Sequence, residues 1–219
     1  ILIQFIEVNY DCPDNVSILS WLLKYREELN VDKNALRGGI FYDPFGDLLV
    51  NGNWENSEEK DKDFIIESVA NAVKISGTFR NTTINAANFH NAGATTVQEI
   101  AFALAQGNEY LNLYAEKNIS ADIVTAHTGF RFACGNDFYA EIAKLRAFRM
   151  LWSLVIDQYH PEYDCSRNSY IQSETSVFYF SAKDINSNML RLTSQAMSAV
   201  ISGCDALNIH PFNSDPEDE

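Results

Sequence analysis

Apolar residues recur along this chain with two different spacings. Short apolar or alternating runs, bounded by polar and turn residues, occupy 1–8, 39–42, 82–87, 128–133, 169–174 and 206–210, and each predicts a strand. Between them the apolar positions fall three and four apart, as on one face of a helix. Such stripes predict helices over 15–29, 63–73, 97–114, 138–159 and 189–201. Asp14 or Asn15, Thr95 or Thr96, and Asp137 stand where N-caps belong. Strand centres lie near residues 5, 40, 84, 131, 171 and 208, so successive strands are roughly 35–47 residues apart. That is one strand–helix unit per interval, which predicts an α/β fold with a parallel sheet. An open doubly wound sheet normally carries a glycine-rich first turn, and neither GxGxxG nor GxxxxGK[ST] occurs here. The expectation is therefore an incomplete (β/α)8 TIM barrel with about six of its eight units present. It spans residues 1–212, the two missing strands lying upstream, with 213–219 a polar linker stump. The stretch 46–62 has the least regular pattern and reads as a loop running into a solvated helix start.

Composition narrows the partners. The chain has 219 residues, 46% of them hydrophobic, and a formal net charge of −14. An acidic surface repels phosphate backbones and anionic lipid, which argues against nucleic acid and membrane surfaces. No apolar run reaches the ~20 residues of a bilayer span. Cys12, Cys134, Cys165 and Cys204 form no CxxC pair, so free thiols in a reducing, cytoplasmic setting are expected. The first residues, Ile1-Leu2-Ile3-Gln4-Phe5-Ile6, lack an initiator Met, a basic region and a cleavage site. They read as the interior of a longer protein.

In parallel α/β folds chemistry gathers at the carboxyl ends of the strands. Those ends read Tyr10-Asp11-Cys12, Tyr42-Asp43-Pro44-Phe45, Asn88-Phe89-His90-Asn91, Gly135-Asn136-Asp137, Glu174-Thr175-Ser176 and His210-Pro211-Phe212. Asp11, Asp43 and Glu174 are a possible carboxylate set, but solvated loop acids are the simpler expectation. No HxH, HExxH, EF-hand or GxSxG pattern occurs, so no metal site and no nucleophile elbow is expected. Asn88-x-His90-x-x-Gly93 differs by one residue from DxHxxG, the loop whose histidine ligates cobalt in many cobalamin domains. Asn replaces the carboxylate that would orient the imidazole, so His90 reads as a hydrogen-bonding histidine and not as a metal ligand.

Longer blocks are more specific. Phe89-His90-Asn91-Ala92-Gly93-Ala94 is followed by Gln98-Glu99-Ile100-Ala101-Phe102-Ala103-Leu104-Ala105-Gln106-Gly107-Asn108-Glu109-Tyr110-Leu111. Then come Asp137-Phe138-Tyr139-Ala140-Glu141-Ile142-Ala143-Lys144-Leu145-Arg146-Ala147-Phe148-Arg149-Met150-Leu151-Trp152 and Asn188-Met189-Leu190-Arg191-Leu192-Thr193-Ser194-Gln195-Ala196-Met197-Ser198-Ala199-Val200. In this order and spacing they resemble the methylmalonyl-CoA mutase family, strongly over 75–213 and only in layout before that.

The resemblance implies barrel strands three to eight of an acyl-CoA-binding domain, with adenosylcobalamin held by a separate domain. Catalytic members end their fifth strand in Gly-Tyr-His; the matching positions here are Ala86, Ala87 and Asn88. The next strand supplies an arginine and a serine to coenzyme A, and His127 and Gly129 stand there. The Thr-Ser-Gly-Trp turn becomes Thr175-Ser176-Val177-Phe178. Losing an imidazole aimed at developing charge removes catalytic stabilisation. The resemblance therefore implies the small, non-catalytic subunit of a heterodimeric isomerase. Its partner would be a large catalytic subunit that binds the adenosylcobalamin, and this chain itself would hold no cofactor. No catalytic residue is expected, and Asn88, His90 and His127 are the expected vestiges of a substrate site. Two other readings stay open: a barrel that is catalytic when complete, and a module that senses a CoA thioester. On the long helix, Glu141 precedes Lys144 by three residues, which predicts local ion pairing.

Overall fold

A computed structural model describes residues 3–11, 15–32 and 35–213. Cys12, Asp14 and most of 213–219 lie outside the described residues. Strands β1 (Glu7–Tyr10), β2 (Arg37–Ile40), β3 (Thr82–Asn85), β4 (Thr128–Cys134), β5 (Tyr170–Thr175) and β6 (Ala206–Asn208) alternate with helices. These are α1 (Asn15–Glu28), α2 (Pro44–Asn51), α3 (Glu58–Ile75), α4 (Ala87–Asn91), α5 (Thr96–Glu116), α6 (Ala121–Ala126), α7 (Phe138–Asp157) and α8 (Ile185–Ser202). The fold is α/β with parallel strand pairing, as the spacing predicted. The chain divides into two compact units, one of Ile1–Ile84, Gln106–Gly129 and Ile156–Arg167, the other of Asn85–Ala105, Phe130–Val155 and Asn168–Glu219.

In the first unit β1 and β2 pair in parallel, Glu7 opposite Arg37 and Tyr10 opposite Ile40. Gly38 sits at φ +130°, where a Cβ would collide with the Val8 carbonyl, so only glycine allows that pairing. A parallel bridge joins Gly39 to Arg80, just ahead of β3. The apolar stripe of α3 buries Ile65, Val69, Ala72 and Ile75, and the last two meet Leu19 and Leu22 of α1 and Ile40 of β2.

Several boundaries differ from the periodicity, each for a local reason. Strand β1 begins at Glu7 because Ile3–Phe5 forms a 3-10 turn. The stretch 46–62 is not one loop: α2 fills most of its first half. Asp43 caps α2, Pro44 supplies a preset first-turn φ, and Gly46 had disguised the pattern. Helix α3 starts at Glu58, five residues before its apolar stripe, because Ser57 accepts from the Lys60 N–H and the first turn carries Glu58, Glu59 and Asp61. Strand β3 stops at Asn85, and α4 takes up Asn88 and His90. The short α6 had no legible stripe. Thr95 and Gln98 form a reciprocal cap at the start of α5, Gln98 N to Thr95 Oγ1 at 3.3 Å and Thr95 N to Gln98 Oε1 at 2.9 Å.

In the second unit the strand order is β4-β5-β6, with Gln172 of β5 opposite Ala206 of β6. Phe130 and Phe132 of β4 lie on α7, meeting Phe148 edge-on at 4.6 and 4.7 Å, and Phe130 meets Trp152 at 4.7 Å. Arg149 of α7 donates to the Ser169 carbonyl at 2.6 Å and pairs with Asp205, tying the entries of β5 and β6 together. Beyond β6 no further strand follows in the order among the described residues, and α8 and β6 frame an apolar groove of about 520 Å3. Phe148→Ala removes a fully buried ring from this aromatic cluster. Denaturant unfolding should show a loss of about 3–5 kcal/mol; a loss under about 1 kcal/mol would mean that the cluster does not carry the unit.

Candidate functional site

Carboxyl-end residues in the first unit surround a cleft of about 820 Å3. Asp11 follows β1, Tyr42 follows β2, Asp47 comes from α2, Trp54 and Glu55 from the connection, and Asp61 from the first turn of α3. Four carboxylates line it and, among the described residues, no lysine, arginine or histidine does. Burial raises the Asp47 carboxyl, and the neighbouring Glu55 adds to the shift. Burial likewise raises the Tyr42 phenol, reinforced by Asp61 and Glu55. The field in this cleft repels anions.

Asp43 is no solvated loop acid. It is 7% exposed, and its Oδ1 accepts from Gln106 Nε2 at 2.6 Å, Tyr110 Oη at 2.8 Å and Gly46 N at 3.1 Å. Three donors satisfy the charge, so the role is that of a buried cap. Asp11 is exposed, as expected of a solvated acid. His127 precedes β4, at the end of that strand opposite the carboxyl rim. It is 2% exposed, and Nδ1 lies 2.5 Å from the Phe79 carbonyl, an acceptor that fixes the proton on Nδ1.

In the second unit Asn88 lies in the first turn of α4, where its Oδ1 accepts from Asn85 Nδ2 at 3.1 Å. His90, two residues on, is buried. Its Nε2 lies 2.8 Å from Ser176 Oγ, and its Nδ1 lies 3.8 Å from Glu99 Oε2. Phe178 and Tyr179 meet the ring edge-on at 6.1 and 6.0 Å. Gly135 closes another side, since a Cβ there would stand 3.3 Å from His90 Cε1 and 3.1 Å from the Tyr179 ring. Both ring nitrogens thus face protein groups, and the residue does not fit a cobalt ligand.

Behind His90 stands a charged core, of which the three-residue spacing of Glu141 and Lys144 announced one pair and Glu99 stayed hidden. Lys144, whose side chain is 0% exposed, donates to Glu99 Oε2 at 2.7 Å and to the Ala133 carbonyl at 2.6 Å, and pairs with Glu141 at 2.6 Å. Burial works to strip this ammonium of its charge, but the two carboxylates outweigh burial and raise its pKa. Burial also pushes the nearby Cys134 thiol up to about 12, which makes it inert.

Glu174 corrects the loop-solvation expectation a second time. Phe130 and Phe132 face α7, so Arg131 between them points to the other face of β4. There Arg131 Nε donates to Glu174 Oε2 at 2.6 Å, its Nη2 pairs with the same oxygen, and His210 Nε2 lies 3.7 Å away. The His210 N–H donates to Thr175 Oγ1 at 2.9 Å, which fixes its backbone. Burial raises the Glu174 carboxyl, but the His210 contact and the Arg131 charge overcome it and hold it below the usual range. The signal that could have found this pair is a lone charge inside an apolar strand, matched by an opposite one on the next strand. Among the described residues no group of three or more His, Cys, Asp or Glu is placed to hold a metal ion, and no helix is long and apolar enough to cross a membrane.

Two outcomes are expected. Lys144→Met leaves two buried carboxylates unpaired and should cost about 3–5 kcal/mol in denaturant unfolding, part of which Glu99→Gln in the same chain should restore. No recovery would mean that the pair is not coupled. Glu174, with its folded pKa depressed, contributes stability above the ordinary carboxylate value of 4.5, and that contribution fades as pH falls towards the folded value. Glu174→Gln should therefore destabilise near neutral pH and progressively less in acid; a penalty independent of pH would contradict the ion pair.

A methylmalonyl-CoA mutase family profile matches residues 6–215, reaching well before the stretch where the quoted blocks begin. The methylmalonyl-CoA mutase small subunit of Porphyromonas gingivalis is 30% identical over 211 residues, covering 95% of this chain and 34% of that protein. The small subunit from Streptomyces virginiae is 33% identical, covering 88% and 30%. The large subunit of the same organism is 29% identical, covering 90% and 27%. This chain thus spans about a third or less of these relatives' lengths. With its profile match running over nearly the whole sequence, the chain belongs to the methylmalonyl-CoA mutase family.

Proposed function

We propose that this chain is a segment of the small, non-catalytic subunit of a heterodimeric methylmalonyl-CoA mutase. In this reading a large subunit binds adenosylcobalamin and interconverts methylmalonyl-CoA and succinyl-CoA, and the two subunits work in the cytoplasm. Residues 1–212 form part of a (β/α)8 barrel, with further strands beside β1 and β6. The unpaired side of β6 and the apolar groove beside it support that placement, because an exposed sheet edge calls for a cover.

The observation that carries the non-catalytic reading is the end of β3. Where catalytic relatives are expected to place an imidazole, Ala86 and Ala87 are buried and Asn88 is hydrogen-bonded to Asn85. The acidic cleft of the first unit supports it, since the phosphates of coenzyme A would meet carboxylates there and, among the described residues, no basic side chain. His90 and Asn88 remain as vestiges on the carboxyl side of β3. His127, engaged with Phe79 at the other end of β4, adds nothing to a substrate site there.

Sedimentation velocity of the protein with a mutase large subunit should give a one-to-one complex. Its turnover should stay within about twofold when Asn88→Ala is introduced into this chain. Substrate-dependent turnover by this protein alone, without a complex, would replace the proposal with the reading in which the completed barrel is itself the enzyme. Calorimetric binding of a CoA thioester without turnover would favour the sensing module instead.

A further inference from the structure

We propose that Arg131 and His210 build a binding site for a small carboxylate at the strand ends of the second unit, filled in the native chain by the carboxylate of Glu174. The inference stands on the geometry of that unit alone and does not require the mutase reading. Three neighbouring strands converge on it: Arg131 from β4, Glu174 from β5, and His210 from two residues beyond β6. Arg131 presents Nε and Nη2 to the same carboxylate oxygen, a forked, charge-assisted grip on an anion. His210 approaches the same oxygen from the far strand, its backbone held by Thr175. The side chains of all three residues are largely buried, Arg131 and His210 at 14% exposed and Glu174 at 8%. The charges therefore act in a medium where water screens them little.

The grip also lies on the functional side of the sheet. Arg131 and Glu174 point away from α7, and Glu174 is the penultimate residue of β5, at the carboxyl end where ligands of parallel sheets bind. A ligand that arrives from solution cannot displace Glu174 in the native chain. The tethered carboxylate has an effective concentration well above the millimolar range of flexible linkers. Removing the tether opens the site, and Glu174→Ala deletes the atoms that acetate supplies: one carbon and a carboxylate.

The test is a thermal melt of the full chain carrying Glu174→Ala, in acetate or propionate against chloride at equal ionic strength and pH. Acetate at about 100 mM should raise Tm by about 3–5 °C over chloride in this variant and leave the wild-type chain indifferent. Glu174→Ala combined with Arg131→Met should lose the response. If Glu174→Ala does not fold in chloride, refolding yield becomes the readout. Recovery in acetate alone supports the site, and no recovery in any carboxylate overturns it. An equal response to acetate and chloride, or a response that survives Arg131→Met, would reduce the three residues to a structural ion pair.

Discussion

Lys144 is the constraint around which the second unit is arranged. An ammonium without solvent exposure is tolerable only if its surroundings return the lost hydration, and three oxygens from three elements do so. Glu99 comes from the start of α5, Glu141 from the preceding turn of α7, and the Ala133 carbonyl from β4. Each must arrive at its place together, so the network fixes how far α5 and α7 stand from the strand. Such networks contribute less net stability than their Coulomb attraction suggests, since desolvation offsets most of it. What they contribute here is position: His90 reaches its place between Glu99, Ser176 and the Phe178–Tyr179 pair because Glu99 is already held.

The two units meet the problem of buried charge differently. Asp43 accepts from neutral donors, an amide, a phenol and a backbone N–H, and those donors come from α2 and α5. Lys144 and Glu174 are satisfied by opposite charges. A neutral-donor cage changes little when the surrounding dielectric changes, whereas an ion pair strengthens in a dry setting and weakens in a wet one. The first unit keeps its strand ends open and acidic; the second fills them with its own side chains.

Much of the fold was legible because the periodicity is strong where helices are long. The stripes of α5, α7 and α8 and the spacing of strand centres led to the right elements within a few residues. What stayed hidden lacked a period. Helix α2 is announced only by Asp43-Pro44 and interrupted by Gly46, and α4 is a single turn whose residues extend an apolar strand pattern. The site was half legible. His90 and Asn88 were named from the family blocks, and the spacing of Glu141 and Lys144 announced their ion pair, while Arg131 with Glu174 and Lys144 with Glu99 meet across 43 and 45 residues of chain, which no local pattern connects.

The three tryptophans sit in three different surroundings. Trp21 on α1 is half exposed, Trp54 lines the acidic cleft, and Trp152 is buried against Phe130 and Phe148. Emission from an indole shifts to the blue as water is withdrawn from it. The shortest-wavelength component of the intrinsic fluorescence therefore belongs to the second unit, and quenchers from solution reach only the first. The chain carries, without any label, separate optical reporters for its two halves.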